Sequence, residues 1–192
     1  MGVARRKIKM IVVGTSIGGV QALKKIFSPL PVDFNIPVLV VRHQASDTDD
    51  YVIEALNRET QLQFKFAEEG ERPDAGTVYL APPNTHMMVA RSGRIHLSYG
   101  QQVNHSRPSI DPLFISAAKL YGESLLAVVL TGANRDGIDG LKVVKQNGGT
   151  VLVQDPESAE ADILPSAAIA AVEVDYLVWL DQIGSFLWEV NR

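Results

Sequence analysis

Short apolar runs rich in β-branched side chains recur along the chain, separated by stretches of helical periodicity. The runs predict strands at Lys9–Gly14, Pro37–Val41, Gln63–Phe66, Thr77–Ala81, Leu125–Thr131, Thr150–Gln154 and Tyr176–Leu180. Helices are predicted at Val20–Ser28, Asp49–Glu59, Asp111–Tyr121, Gly140–Gln146, Ser166–Val172 and Gln182–Val190. Strands that are apolar throughout, rather than at alternate positions, are buried on both faces. Alternation of such strands with helices predicts an α/β fold, a doubly wound, mostly parallel sheet. One stretch breaks the rhythm. Thr77–Ser98 reads as a strand, a Pro82-Pro83 corner, and a hairpin of His86–Arg91 and Arg94–Ser98 around Ser92-Gly93, a small antiparallel addition.

Helix ends carry recognisable signals. Asp111 before Pro112 reads as an N-cap with proline at the first helical position. Gln146-Asn147-Gly148-Gly149 reads as a helix stop. No repeat or low-complexity linker divides the chain, so residues 1–192 are expected to form a single domain.

Composition narrows the chemistry. A net charge of −4 gives no basic footprint for nucleic acid. The absence of cysteine excludes disulfides, thiol nucleophiles and cysteine metal sites. No apolar run reaches the roughly 18 residues of a membrane span, so no membrane insertion is expected. Arg5-Arg6-Lys7 precedes only a short strand without a cleavage site, so no signal peptide is expected and a cytoplasmic location is.

In doubly wound sheets, ligands gather beyond the carboxyl ends of the strands. Gly14-Thr15-Ser16-Ile17-Gly18-Gly19 follows the first strand and opens a helix. Such a turn can expose a serine nucleophile, cradle a phosphate or simply cap a helix. A dinucleotide fingerprint would need glycine at position 16 and an acid after the second strand, where His43 stands instead. No lysine in the turn makes it a P-loop. His43 can serve as a base for Ser16 if the first two strands are neighbours, since adjacent strands lie about 4.8 Å apart. Asp136, beyond the Leu125 strand, can orient His43; Asp139 and Asp155 are rivals, and an ordinary Asp-Gly turn is the plainer reading. His86, His96 and His105 fit surface positions better, and no histidine spacing suggests a metal. Arg107 suits a simpler use, anchoring the loop before the helix at Asp111.

Six motifs occur together in order: the serine turn, Val41-Arg42-His43, Val78-Tyr79-Leu80-Ala81-Pro82, Arg107-Pro108-Ser109-Ile110-Asp111, Leu130-Thr131-Gly132 with Asp136-Gly137, and Gln154-Asp155. In this they resemble the chemotaxis protein-glutamate methylesterase catalytic domain, from about Lys9 to about Leu187. The resemblance implies hydrolysis of glutamyl methyl esters on chemoreceptor cytoplasmic domains, with glutamine deamidation in many members and no cofactor. It assigns the nucleophile to Ser16, the base to His43 and the acid to Asp136. It also assigns oxyanion donors to the backbone N–H groups of Ile17 and Ala133. Thr15, Arg42, Met87 and Met88 are candidates for lining the cleft.

The sequence departs from the family pattern in places. Ile17 replaces a usual threonine, and Ala133-Asn134 replaces Met-Gly; a left-handed backbone at Asn134 would carry strain. The receiver domain that precedes the catalytic domain in well-known members has no counterpart in these residues, as expected of either a standalone member or an excised catalytic domain. Three alternatives stay open: an esterase or deamidase acting on a non-receptor protein, a binding module whose chemistry has decayed, and nucleotide binding at the Gly18-Gly19 amides.

Overall fold

The computed structural model describes residues 7–43 and 51–192. Among the described residues, strands and helices alternate: β1 (Met10–Thr15), α1 (Gly19–Phe27), β2 (Val38–Arg42), α2 (Tyr51–Glu59), β3 (Gln63–Phe66), β4 (Thr77–Leu80), β5 (His86–Val89), β6 (Ile95–Ser98), α3 (Ile110–Tyr121), β7 (Leu125–Val129), α4 (Ile138–Gln146), β8 (Thr150–Gln154), α5 (Ile163–Ala171), β9 (Tyr176–Val178) and α6 (Leu180–Asn191). Seven strands form one sheet in the order β3-β4-β2-β1-β7-β8-β9. Each pairing within it is parallel. β5 and β6 pair antiparallel as a separate hairpin.

The fully apolar strands explain the layering. Along β1, Met10 and Val12 face one layer, while Ile11 and Val13 face the other. The first layer contains Ile110, Phe114, Leu141 and Leu164 of α3, α4 and α5, together with the hairpin residues Met87, Val89 and Ile95. The second contains Leu23 and Ile26 of α1, Leu56 of α2, and Ile183 and Leu187 of α6. Burial on both faces follows from the period of two in a strand: side chains alternate, and each face meets a helix layer.

Several boundaries differ from the sequence reading. α3 is capped by Ser109, so Asp111 lies inside the first turn. α5 begins at Ile163, three residues before its predicted start, because Pro165 falls in the first turn, where a missing N–H costs nothing. α4 begins at Ile138, since Gly137 takes a left-handed φ of 96° and serves as the N-cap. The predicted helix start at Asp49 and the basic Arg5-Arg6 lie outside the described residues. Among the described residues, no helix is long and apolar enough to cross a membrane.

Chain direction fixes where a site can form. β1 pairs with β2 on one side and with β7 on the other, so the order reverses direction at β1. Loops leaving β1 and β7 therefore diverge and open a crevice beyond their carboxyl ends. The serine turn and the Thr131–Asp136 loop both enter it.

Candidate active site

Register brings Ser16 and His43 to one edge. Thr15 is the register partner of Arg42 across β1 and β2, so the next residues, Ser16 and His43, leave neighbouring strands at the same level. The His43 N–H donates to the Thr15 carbonyl at 3.1 Å, and the Ser16 N–H donates to the Thr131 carbonyl at 3.0 Å. The serine turn is thus tied to both neighbours of β1. Thr131 adds a clamp: its hydroxyl donates to the Ile17 carbonyl at 2.9 Å. Gly18, with φ of 77°, reverses the chain into α1. Gly132 must lack a side chain, because a Cβ there would sit 3.1 Å from Ser16 Cβ and 2.9 Å from Leu164 Cδ2.

His43 is held at both ring nitrogens. Its Nε2 lies 2.7 Å from Asp136 Oδ2. Its Nδ1 meets the Asn134 side-chain nitrogen, and the same nitrogen lies 3.3 Å from Ser16 Oγ. Donor chemistry fixes the tautomer. An ionised carboxylate only accepts, so Nε2 carries the proton; an amide NH2 only donates, so Nδ1 presents its lone pair. The Asn134 orientation is set independently, because its Oδ1 accepts the Asp136 N–H at 3.1 Å.

Asp136 is almost wholly buried and saturated with donors. Oδ2 accepts the Ile110 N–H at 2.6 Å, at the start of α3, besides the His43 ring. Oδ1 accepts the Ser109 hydroxyl and the Asn104 amide, each at 2.7 Å. Burial, the largest single influence, raises the Asp136 carboxyl. Hydrogen bonds from His43, Asn104, Ile110 and Ser109 outweigh it and hold the group below the ordinary aspartate range. Asn104 also donates to Asp111 Oδ2 at 2.7 Å, and the Gly140 N–H donates to Asp111 Oδ1 at 2.6 Å. Asp111 is shifted upward, by burial first and by the nearby charge of Asp136 as a smaller cause.

The open cleft at this edge has a volume of about 430 Å³ and is lined by Ser16, Ile17, Gly19, Arg42, His43 and Glu160, among others. Ile17 is 55% exposed beside Ser16. Burial lowers the Arg42 guanidinium from its usual value. Among the described residues, the N–H groups of Ile17 and Ala133 have no backbone acceptor, whereas the Gly132 N–H is taken by the Ala161 carbonyl.

The family described as CheB methylesterase matches residues 11–187. The chain belongs to the CheB methylesterase family. A putative protein-glutamate methylesterase/protein-glutamine glutaminase of Leptospira interrogans is 44% identical over 95% of this chain and 94% of its own length. A protein-glutamate methylesterase/protein-glutamine glutaminase of Saccharophagus degradans is 37% identical, and here the match spans 92% of this chain but only 48% of the relative. The crystal structure of the Thermotoga maritima CheB methylesterase catalytic domain superposes with a TM-score of 0.90 at 33% identity, covering 95% of this chain and 98% of that one. The parallel sheet flanked by helices is the CheB catalytic-domain fold, and the family is one of carboxylic ester hydrolases.

At this sheet edge Ser16, His43 and Asp136 are joined through the Asn134 side chain and the His43 ring, Ile17 and Arg42 line the same cleft, and Ala133 precedes Asn134 on its loop. Three predicted cleft residues lie elsewhere. Thr15 is fully buried, and its hydroxyl donates to the Thr131 carbonyl at 2.8 Å, so it ties β1 to the neighbouring loop. Met87 is fully buried in the core, and Met88 borders a separate groove with Pro112 and Ile115. The hairpin packs on α3 rather than over the strand ends, and strand alternation sends the two methionines to opposite sides. His86 is also buried, contrary to the surface position expected: its Nδ1 accepts the Ser109 N–H at 3.2 Å, and Nε2 lies 2.9 Å from the Gln101 carbonyl. His86 thereby holds the segment that feeds Ser109 to Asp136. Asp139 is exposed and pairs with Lys142, and Asp155 caps the turn Pro156–Ser158, so neither competes for His43.

Sequence reasoning missed Asn104, Ser109 and the side-chain role of Asn134. Asn104 sits in a polar loop with φ of 52°, and only tertiary folding carries it to Asp136. Ser109 stands within a recognised motif and immediately before Ile110, which marks it as a cap. Asn134 is not left-handed: among the described non-glycine residues, positive φ occurs at Asn84, Asn104 and His105. The backbone strain expected there is absent, and the change acts through the side chain.

Proposed function

We propose that this chain is a serine esterase that hydrolyses glutamate γ-methyl esters on the cytoplasmic domain of a methylated chemoreceptor. Ser16 Oγ attacks the ester carbonyl, and His43 Nδ1 takes its proton. Asp136 keeps the proton on Nε2 and stabilises the imidazolium. The N–H groups of Ile17 and Ala133 hold the oxyanion. Collapse breaks the C–O bond, and His43 returns the proton to the departing methanol. Water, deprotonated by His43, then attacks the acyl-Ser16 carbonyl and yields glutamate and free serine. A receptor glutamine enters the same sequence with ammonia as leaving group. The site works with these side chains alone, in the cytoplasm, within a single domain of residues 1–192.

The observation that carries this reading is the bridged imidazole. Asp136 takes one ring nitrogen at 2.7 Å while the other faces the Ser16 side of the cleft. A decayed binding module has no need for a buried carboxylate with four donors trained on a histidine. Replacing Ser16→Ala is expected to abolish methanol release from methylated receptor membranes with the fold intact by circular dichroism. An unchanged rate overturns the assignment. Ammonia release without methanol release would instead favour a deamidase.

A further inference from the structure

The Asn134 carboxamide lies where the Ser16 proton has to travel. Its nitrogen contacts both Ser16 Oγ, at 3.3 Å, and His43 Nδ1. Both contacts use amide hydrogens, since the Asn134 oxygen is engaged by the Asp136 N–H. The Nδ1 lone pair is therefore filled by an amide N–H, and a serine hydroxyl cannot donate to it at the same time. Asn134 itself cannot relay the proton, because a neutral amide has no basic nitrogen at ordinary pH. In this arrangement the nucleophile and its base are separated by a donor.

The side chain is placed to leave. Asn134 sits on the loop between β7 and α4, half-buried between the exposed residues Ala133 and Arg135. Its backbone carries no left-handed strain. Three hydrogen bonds hold the carboxamide, and none comes from a charged partner's side chain. Rotation about its side-chain bonds into the open cleft would free both Ser16 and His43 without moving a strand or helix.

We propose that Asn134 is a latch on the nucleophile. Its carboxamide holds Ser16 and His43 apart at rest, and it must turn aside before Ser16 can pass a proton to His43. The inference rests on the reading of Ser16 as nucleophile and His43 as base. It makes Asn134 a positioning residue: its effect on rate passes through the hydrogen bond that it displaces.

The test compares the full chain with Asn134→Gly and Asn134→Ala, each also combined with Ser16→Ala, after urea unfolding has shown them folded. A small fluorophosphonate reads out Ser16 reactivity without a protein substrate. Labelling is expected to rise about tenfold in both variants, the scale on which one net hydrogen bond competes with another. The imidazole 15N spectrum supplies a readout that a purely structural role would not move. In the parent, Ser16→Ala should leave the His43 Nδ1 resonance nearly in place, because its partner is Asn134. In Asn134→Gly the same replacement should shift it, because Ser16 has become the partner. Equal or slower labelling in both variants, with the parent labelled at Ser16, overturns the latch and leaves the nucleophile reading standing. No Ser16-dependent labelling in any chain overturns both.

Discussion

Replacing Asp136→Asn removes one charge from the most densely hydrogen-bonded carboxylate in the site, and the surrounding donors fix the consequences. Oδ2 faces the Ile110 N–H and His43 Nε2; Oδ1 faces Ser109 and Asn104. The new amide has one acceptor oxygen. Ile110 can only donate, so the oxygen must take the Oδ2 place and the NH2 the Oδ1 place. Ser109 adapts by turning its hydroxyl to accept. Asn104 does not adapt freely, because its nitrogen also serves Asp111 Oδ2 at 2.7 Å. One donor faces another, at a cost of about 1–3 kcal/mol in stability. The His43 tautomer survives, so the kinetic loss is that of charge stabilisation. A carboxylate and an imidazolium about 4 Å apart at an effective dielectric near 20 attract by about 4 kcal/mol. Lost from the transition state, that energy slows acylation about 1,000-fold. Methanol release or fluorophosphonate labelling measures the rate, and urea unfolding measures the stability. A folded Asp136→Asn protein within about tenfold of the parent rate would refute the claim that the carboxylate acts by stabilising the His43 cation.

Two further outcomes rest on the same geometry. Because the Asp136 carboxyl is held below its unfolded value near 3.9, its ionised form adds stability that is complete above that value and lost as pH falls through the depressed one. The stability gap between parent and Asp136→Asn should therefore narrow as pH falls below about 4, and a gap that widens in that range would contradict the assigned direction. Gly132→Ala puts a Cβ 2.9 Å from Leu164 Cδ2 and 3.1 Å from both Leu164 Cβ and Ser16 Cβ; the Leu164 tip can rotate but its Cβ must shift, so about 1–3 kcal/mol of stability is expected to go. Ser16 has less room, and displacing it should slow labelling by up to about 100-fold, which stopped-flow labelling and urea titration can separate.

How legible each part of the site is in the sequence depends on how far apart its pieces lie. Ser16 is legible because strand, glycine-flanked turn and helix are local, and local pattern sets local backbone. His43 is legible because neighbouring parallel strands in a βαβ unit end at the same level, as the pairing of Thr15 with Arg42 bears out. Arg107 anchors the loop before α3 as expected, its guanidinium donating to the Tyr99 and Gly100 carbonyls at 3.0 and 2.7 Å. Met87 and Met88 are misplaced by the sequence because the hairpin's own pattern gives its pairing but not the surface on which it docks. Asn104 carries no periodicity at all.

What the sequence determined by itself is the ladder of elements and the doubly wound parallel sheet, since strands apolar on both faces have to be covered on both faces. It also determined which residues leave the carboxyl ends of β1, β2 and β7. Tertiary structure alone decided how those residues are tuned. Against its burial, Asp136 owes its low carboxyl to hydrogen bonds from His43, Asn104, Ile110 and Ser109, all more than 25 residues away in sequence. The amide of Asn134 reaches both Ser16 and His43 only because three separate loops converge at one sheet edge. Hydrogen bonds depend on atomic separation and direction, and those are properties of packed elements rather than of sequence spacing.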